Sequence, residues 1–462
     1  MSSLTTFSIE FQEVFPPFSR APLVPNIPSY LTNDTRTIAI IGLGKRTEYL
    51  VKKAKGKGLD GEPVNFDIKN VSNGRFFKTT SFPVSNNSYT LYRGFQGIEV
   101  VPPTDYYLDR TLGYIILYTP LTSGETLKFV YISEADINYP RVFDNGDLSL
   151  LINIYGTPSQ ENTLSAAASL AFTNNAPRVL VVQGDHTGFD PYWYKAYQAL
   201  ENQQVYGVVP CPNGYYNGVI AAGIDHVQRM SDTPNRRERF LIIGENISTT
   251  VTDNITRDLV SSYNSEDRVI FIAADNPSTV FQGESIYAGG GFLATALAGA
   301  WFSSEYIPTT LTSQFLQGIS ILVKSHYSQT ELNQFVKDGI TMVLSSQTKG
   351  QVYQFVTTLN NGNPLDEEPP VWKIKDYVAI TIRTQTENNF TGTALINDTE
   401  QIIIFISKIL ESLVSQKIIA SFSNVNVTID PIEPRQIDIL FDIVPVFSLR
   451  NFSISIGVRA YL

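Results

Sequence analysis

The sequence predicts a multidomain chain of class α/β and β. It comprises a β-sandwich-like N-terminal domain, an α/β core on a mostly parallel sheet, and an α+β C-terminal domain with strands at both chain ends. Three observations predict this. Short strands separated by turn clusters dominate residues 37–139. From about Pro140, apolar runs alternate with helical patterns. Both chain ends, residues 6–14 and 451–462, alternate apolar and polar side chains at the period of a half-buried strand.

At the N-terminus, Phe7, Ile9 and Phe11 alternate with Ser8, Glu10 and Gln12, and Val14 closes the run. Pro16, Pro17, Pro22, Pro25 and Pro28 follow. Such proline density favours a polyproline II tether, and at ~3.1 Å per residue the segment 16–30 reaches on the order of 45 Å. Residues 1–30 are therefore expected to form an arm and tether.

Residues 31–140 form the expected outer β-rich domain. Strands are predicted at 37–41, 76–82, 89–92, 114–118 and 126–132, with turns at Ser72-Asn73-Gly74 and Ser85-Asn86-Asn87. Residues 141–362 form the expected α/β core. Buried strands at 179–182, 205–209, 240–243, 269–272 and 339–344 alternate with helices at 163–172, 192–201, 219–230, 253–263, 292–303 and 330–337. Segment 362–370, with Asn363-Pro364 and Pro369-Pro370, reads as a loop or boundary. In the C-terminal domain, 363–450, Asp398 caps a helix with Gln401 at its third position, and Ile402, Ile406, Ile409 and Leu413 recur along one face. Strands at 425–429 and 436–444 follow. The last segment, 451–462, sets Ile454, Ile456, Val458, Ala460 and Leu462 on one side of a terminal strand. That strand either pairs within its own domain or offers its backbone to a second chain.

Composition narrows the function. Among 462 residues, 34 Lys+Arg against 44 Asp+Glu give a net charge of −10, which argues against direct nucleic-acid binding, because phosphate neutralisation needs a basic face. The single cysteine, Cys211, forms no intrachain disulfide and reads as a small core residue. The N-terminus shows no signal-peptide pattern, and the most lipid-like run, 289–302, is too short to span a bilayer. The sequence therefore predicts a soluble chain, without membrane insertion, that acts where it is made.

The motifs exclude more than they assign. Gly42-Leu43-Gly44 follows a strand, yet Thr47 stands at the third glycine position and no long helix follows, so a glycine-rich hairpin is expected rather than a dinucleotide site. Lys45, Arg46, Lys52, Lys53, Lys55 and Lys57 form a basic cluster that reads as a solvated ribbon face, with a salt-sensitive contact to an acidic partner surface as the functional alternative. Gly289-Gly290-Gly291 precedes a helix without the Lys-Ser/Thr pair of a phosphate loop, and reads as close packing together with Ala294, Ala298 and Gly299. His186, His226 and His326 lie in separate segments, with no nucleophile elbow and no metal-ligand spacing. The carboxylates Asp144, Asp147, Glu161 and Asp275 read as turn and cap residues. No catalytic residue, metal or cofactor is expected.

The order of these blocks resembles the tail sheath proteins of contractile-tailed bacteriophages and related contractile injection systems. The resemblance is carried by residues 40–47 (IIGLGKRT), 163–182 (TLSAAASLAFTNNAPRVLVV), 237–244 (RERFLIIG), 294–299 (ATALAG), 308–312 (PTTLT), 373–383 (KIKDYVAITIR) and 444–449 (VPVFSL). It covers nearly the whole chain. It implies a subtilisin-like core that is not a protease, and terminal arms that enter the C-terminal domains of neighbouring copies. Phe7, Ile9, Phe11 and Val14 would form one arm; Ile454, Ile456, Val458, Ala460 and Leu462 would form the other. It further implies a helical homopolymer of stacked rings around a tail tube protein, with baseplate and tail terminator proteins at its ends. Such a sheath is assembled in the host bacterial cytoplasm, resides in the virion, and contracts to drive the tube through the host envelope. The helix at 398–416 would face the tube through Lys408, Glu411 and Ser415. A bacterial injection-system or tailocin sheath remains an alternative, as does an α/β enzyme with an appended β domain.

Overall fold

The computed structural model describes residues 5–9, 35–43, 47–51, 68–72, 76–79, 84–94, 99–109, 114–122, 125, 127–133, 139–159, 162–184, 190–211, 217–232, 235–246, 260, 266–275, 277–281, 284–287, 289–321, 327–359, 363–390, 399–430 and 437–447.

An eleven-stranded sheet organises the core. Its centre is parallel, in the spatial order Arg178–Gln183, Thr37–Gly42, Gly207–Cys211, Phe240–Asn246, Val269–Ala274 and Ile340–Ser346. Antiparallel strands complete both sides. Arg141–Asp144 lies beyond Arg178–Gln183, and Lys349–Val352, Phe315–Ile321, Pro277–Phe281 and Glu284–Tyr287 extend the other side. Alternation along each strand divides two hydrophobic cores: Ile38 and Ile40 point to one, Ala39 and Ile41 to the other. The helices Thr163–Thr173 and Gly290–Ser303 cover the first face; Asp190–Ala199 and Asn217–Ser231 cover the second.

The strand at Thr37–Gly42, expected to open the outer domain, instead lies inside the core sheet, fully buried between two parallel neighbours. Its glycine has a packing reason rather than a hairpin or nucleotide reason. A Cβ on Gly42 would lie 2.9 Å from the Leu164 Cα, where the helix Thr163–Thr173 begins. Thr163 locks this junction, its Oγ1 accepting from the Leu43 amide at 2.9 Å and donating to the Cys211 carbonyl at 2.6 Å.

Between residues 47 and 133, the described residues form a pair of four-stranded antiparallel sheets. Thr47–Val51, Leu127–Ser133, Val84–Arg93 and Glu99–Val100 form one; Ile68–Ser72, Phe76–Thr79, Tyr114–Leu117 and Tyr106–Asp109 form the other. Leu91, Leu127 and Phe129 of the first share one core with Phe77, Tyr106, Ile115 and Leu117 of the second.

Segment 362–370, expected as a loop or boundary, is not a loop over its described residues 363–370, which hold a short helix, Pro364–Glu367, and the first residues of a long one, Pro369–Phe390. Proline at the start of a helix loses no intrahelical hydrogen bond, so Pro369-Pro370 initiates the helix rather than breaking it. With the helix Thr399–Ser415 it packs on a three-stranded antiparallel sheet, ordered Thr5–Ile9, Ile437–Pro445, Ile419–Ile429.

Candidate functional site

The C-terminal sheet is where the chain's N-terminus returns. Thr5–Ile9 runs antiparallel to Ile437–Pro445, with Phe7 opposite Phe441 and Ile9 opposite Ile439. The middle strand buries Ile439, Phe441 and Ile443 against the two helices and exposes Leu440 and Val444 on its other face. Without Thr5–Ile9, one side of this middle strand would carry unpaired backbone donors and acceptors. On the far side, Ile419–Ile429 pairs, among the described residues, only with Ile437–Pro445. Its register shifts twice, and Asn424, at φ 54°, sits in the second irregularity with its amide donating to Asp442 at 2.5 Å. Such irregularities bend and twist an edge strand.

The helix Thr399–Ser415 buries Ile402, Ile406, Leu410 and Leu413. Leu410 takes the place expected for Ile409, which is only half-buried. Lys408, Glu411 and Ser415 are exposed, as is Ile404, which continues their stripe one turn earlier and is 56% exposed. The sequence placed Ile402 of the run Ile402-Ile403-Ile404 on the inner face and did not single out Ile404, whose exposure the packing shows.

A buried polar seam joins this unit to the core through the helix Pro369–Phe390. Arg268, preceding the core strand Val269–Ala274, holds Asp376 with two hydrogen bonds, at 2.8 and 2.9 Å. The Tyr206 hydroxyl donates to the same carboxylate at 2.7 Å. Burial alone would lower the Arg268 pKa, but Asp376 overcomes it and holds the guanidinium firmly charged. Further along, Arg383 donates to Glu238 at 2.7 Å and to the Arg236 carbonyl at 2.8 Å. Lys375 reaches Asp366 at 3.5 Å. Lys375, Asp376, Arg383 and Glu238 lie in stretches that carry the resemblance, but the sequence assigned none of them a role in joining the two units. Their charges interrupt the apolar stripe by which a sequence announces a packed helix.

Other residues singled out in the sequence are structural. Cys211 is buried, with its sulfur 3.3 Å from the Thr295 hydroxyl, and burial pushes its thiol up to about 12. His226 is buried 2.6 Å from Arg239, and burial followed by the charge of Arg239 pushes it down to about 3. Arg239 in turn donates to the carbonyls of Leu200 and Gln203, tying the end of the helix Asp190–Ala199 to the start of the strand Phe240–Asn246. Asp144 and Asp147 form a capping box, in keeping with their expected turn role. Phe11, Val14, the tether prolines Pro16, Pro17, Pro22, Pro25 and Pro28, the basic cluster at 45–57, His186, His326 and the arm residues Ile454, Ile456, Val458, Ala460 and Leu462 lie outside the described residues.

No protein-family model matches the chain, and no curated protein does. Solved structures do. A chain of the anti-feeding prophage baseplate, 6-fold symmetrised, superposes with TM-score 0.54 at 13% identity, over 71% of this chain and 90% of that one. The anti-feeding prophage helical sheath in its contracted state gives TM-score 0.54 at 11% identity, with the same coverage. The sheath complex of the extracellular contractile injection system PVC, also contracted, gives TM-score 0.53 at 13% identity, over 70% of this chain and 87% of that one. The chain thus has the fold of the sheath proteins of contractile injection systems.

Proposed function

We propose that this chain is the structural subunit of a contractile tail sheath, in which copies polymerise around a tube by exchanging terminal strands and contract to drive the tube through a bacterial envelope. The observation that carries the reading is the strand Thr5–Ile9 on the C-terminal sheet. A strand contributed by the far end of the sequence contacts its sheet through one hydrogen-bonded edge. The same edge accepts the equivalent strand of another copy just as well. About five backbone hydrogen bonds at roughly 0.5–1.5 kcal/mol each, plus one buried face, make each arm worth several kcal/mol. Two such arms per subunit hold a lattice together while subunits reorient.

In this reading the C-terminal arm, Ile454 to Leu462, occupies the open side of a neighbour's Ile419–Ile429 strand. The helix Thr399–Ser415 meets the tube protein through Ile404, Lys408, Glu411 and Ser415. Baseplate and terminator proteins close the two ends, the α/β core is of subtilisin-like descent without protease function, and the role is structural rather than enzymatic. Contraction is the release of a metastable packing established at assembly, with no cofactor. We place the sheath on a bacteriophage, where contraction serves genome delivery. A bacterial injection-system sheath is the second reading, favoured by the injection-system structures sharing the fold.

The test is removal of residues 1–15 or 452–462, followed by electron microscopy of the purified protein. Soluble monomers from the shortened chains and long tubes from the intact one are expected. Long tubes from either truncation would count against strand exchange.

A further inference from the structure

Among the described residues, the seam holds a lysine with no carboxylate partner. Lys373, on the helix Pro369–Phe390, is fully buried, and its ammonium lies over two aromatic faces of the helix Gly290–Ser303, 5.7 Å from the Trp301 ring and 5.3 Å from the Phe302 ring. Its one hydrogen bond among the described residues is a long one, 3.4 Å to the Trp301 carbonyl. The neighbouring Trp301 indole N–H, a donor that cannot serve an ammonium, is buried and has no partner among the described residues.

Among the described residues, Asp376, Lys375 and Arg36 each make bonds of their own. Asp376, three residues on, has both oxygens on Arg268 and also accepts from Tyr206. Tyr206 meets Phe302 edge-on at 5.7 Å. Lys375 turns to Asp366 and the Leu365 carbonyl. From the segment entering the first core strand, Arg36 adds a second positive charge, donating to the Phe302 and Ser303 carbonyls and pairing with the exposed Glu305 at 3.1 Å. Aromatic faces offset only part of an ammonium's lost hydration.

We propose that Lys373 is a proton-operated latch between the core and the C-terminal unit. Its uncharged amine lets the helix Pro369–Phe390 seat on Trp301 and Phe302, and its protonation favours an unseated arrangement in which water reaches the ammonium. Burial, with Arg36 beside it, pushes the amine down to about 7, whereas an exposed lysine titrates near 10.5. The sign follows from linkage. The seated form binds fewer protons than the unseated form between these two values, so unseating becomes more favourable as pH falls, by up to roughly tenfold per unit, and levels off below about 7. The latch belongs to the single chain, so it stands or falls independently of how copies assemble.

Hydrogen–deuterium exchange of the full-length protein tests it, with protection corrected for the pH dependence of intrinsic exchange. Between about pH 9 and pH 7, protection in 369–390 and the adjoining turns of 290–303 is expected to fall by several tens of fold relative to the core strand 269–274. In Lys373→Met the difference should vanish. Arg36→Gln, at a half-exposed site, should keep the fold and move the levelling point to higher pH. A wild-type seam whose protection follows that of 269–274 across this range overturns the latch whether or not Lys373→Met folds. So does a pH response that survives in Lys373→Met, or a levelling point that Arg36→Gln leaves unmoved.

Discussion

Gly289, Gly290 and Gly291 are chemically identical and physically different. A Cβ on Gly290 would stand 1.7 Å from the Gly244 carbonyl oxygen, and one on Gly291 would stand 2.9 Å from the Cys211 Cα, so both let the start of the helix Gly290–Ser303 press against backbone of the parallel sheet. Gly289 has open space around it and φ −58°, ψ 168°, which any residue adopts. Gly290→Ala is expected to cost about 3 kcal/mol or more, or to prevent folding, while Gly289→Ala changes stability by less than about 0.5 kcal/mol. Urea midpoints of the two variants distinguish them. The sequence pointed to close packing in this triplet and along Ala294, Ala298 and Gly299. Gly299 bears that out, since its Cβ would fall 2.6 Å from the Ala171 carbonyl of the facing helix. Which glycine of three is indispensable depends on Gly244, 46 residues away, and no local pattern encodes that distance.

Elements whose signals are local were legible. The helix Gln329–Lys337 has Ser328 accepting from the Glu331 amide while the Glu331 carboxylate accepts from the Ser328 amide at 2.7 Å, and Leu332 and Phe335 bury its inner face. Ser328→Ala should lower stability by about 1 kcal/mol and raise amide exchange in the first turn without altering the rest of the chain. The parallel strands were legible for a related reason. Burial on both faces demands continuous apolar runs such as Val269 to Ala274. Elements that failed to show are those with mixed faces. The antiparallel additions Pro277–Phe281, Glu284–Tyr287 and Phe315–Ile321 sit at the side of the sheet, where Val280 and Phe315 face solvent, and their patterns resemble loops. The helix Pro369–Phe390 hid for the opposite reason, because it buries Lys373, Lys375 and Asp376 where a sequence reading expects apolar residues.

For the whole molecule, the seam decides how firmly the C-terminal sheet is held to the core. Asp376 gathers Arg268 and Tyr206 from the core onto a C-terminal helix. Breaking a buried ion pair by removing one member leaves the other charge unsatisfied. Asp376→Asn is therefore expected to destabilise by about 3 kcal/mol or more, and to separate one cooperative unfolding transition into two as the C-terminal unit loosens first. Calorimetry of the full chain reads both effects. A single transition unshifted from wild type would show that Asp376 does not hold the seam.

The sequence by itself determined the succession of a β-rich segment, an α/β core and an α+β unit with an alternating N-terminal strand, because periodicity and turn chemistry are properties of neighbouring residues. Only the tertiary structure decided that Thr37–Gly42 belongs in the middle of the core sheet, that Thr5–Ile9 lies against Ile437–Pro445, and that Lys373 is buried with no carboxylate partner among the described residues. Each of these brings together residues far apart in the chain. Strand order and buried charge are set by that long-range packing, and a residue's own neighbours carry no record of it.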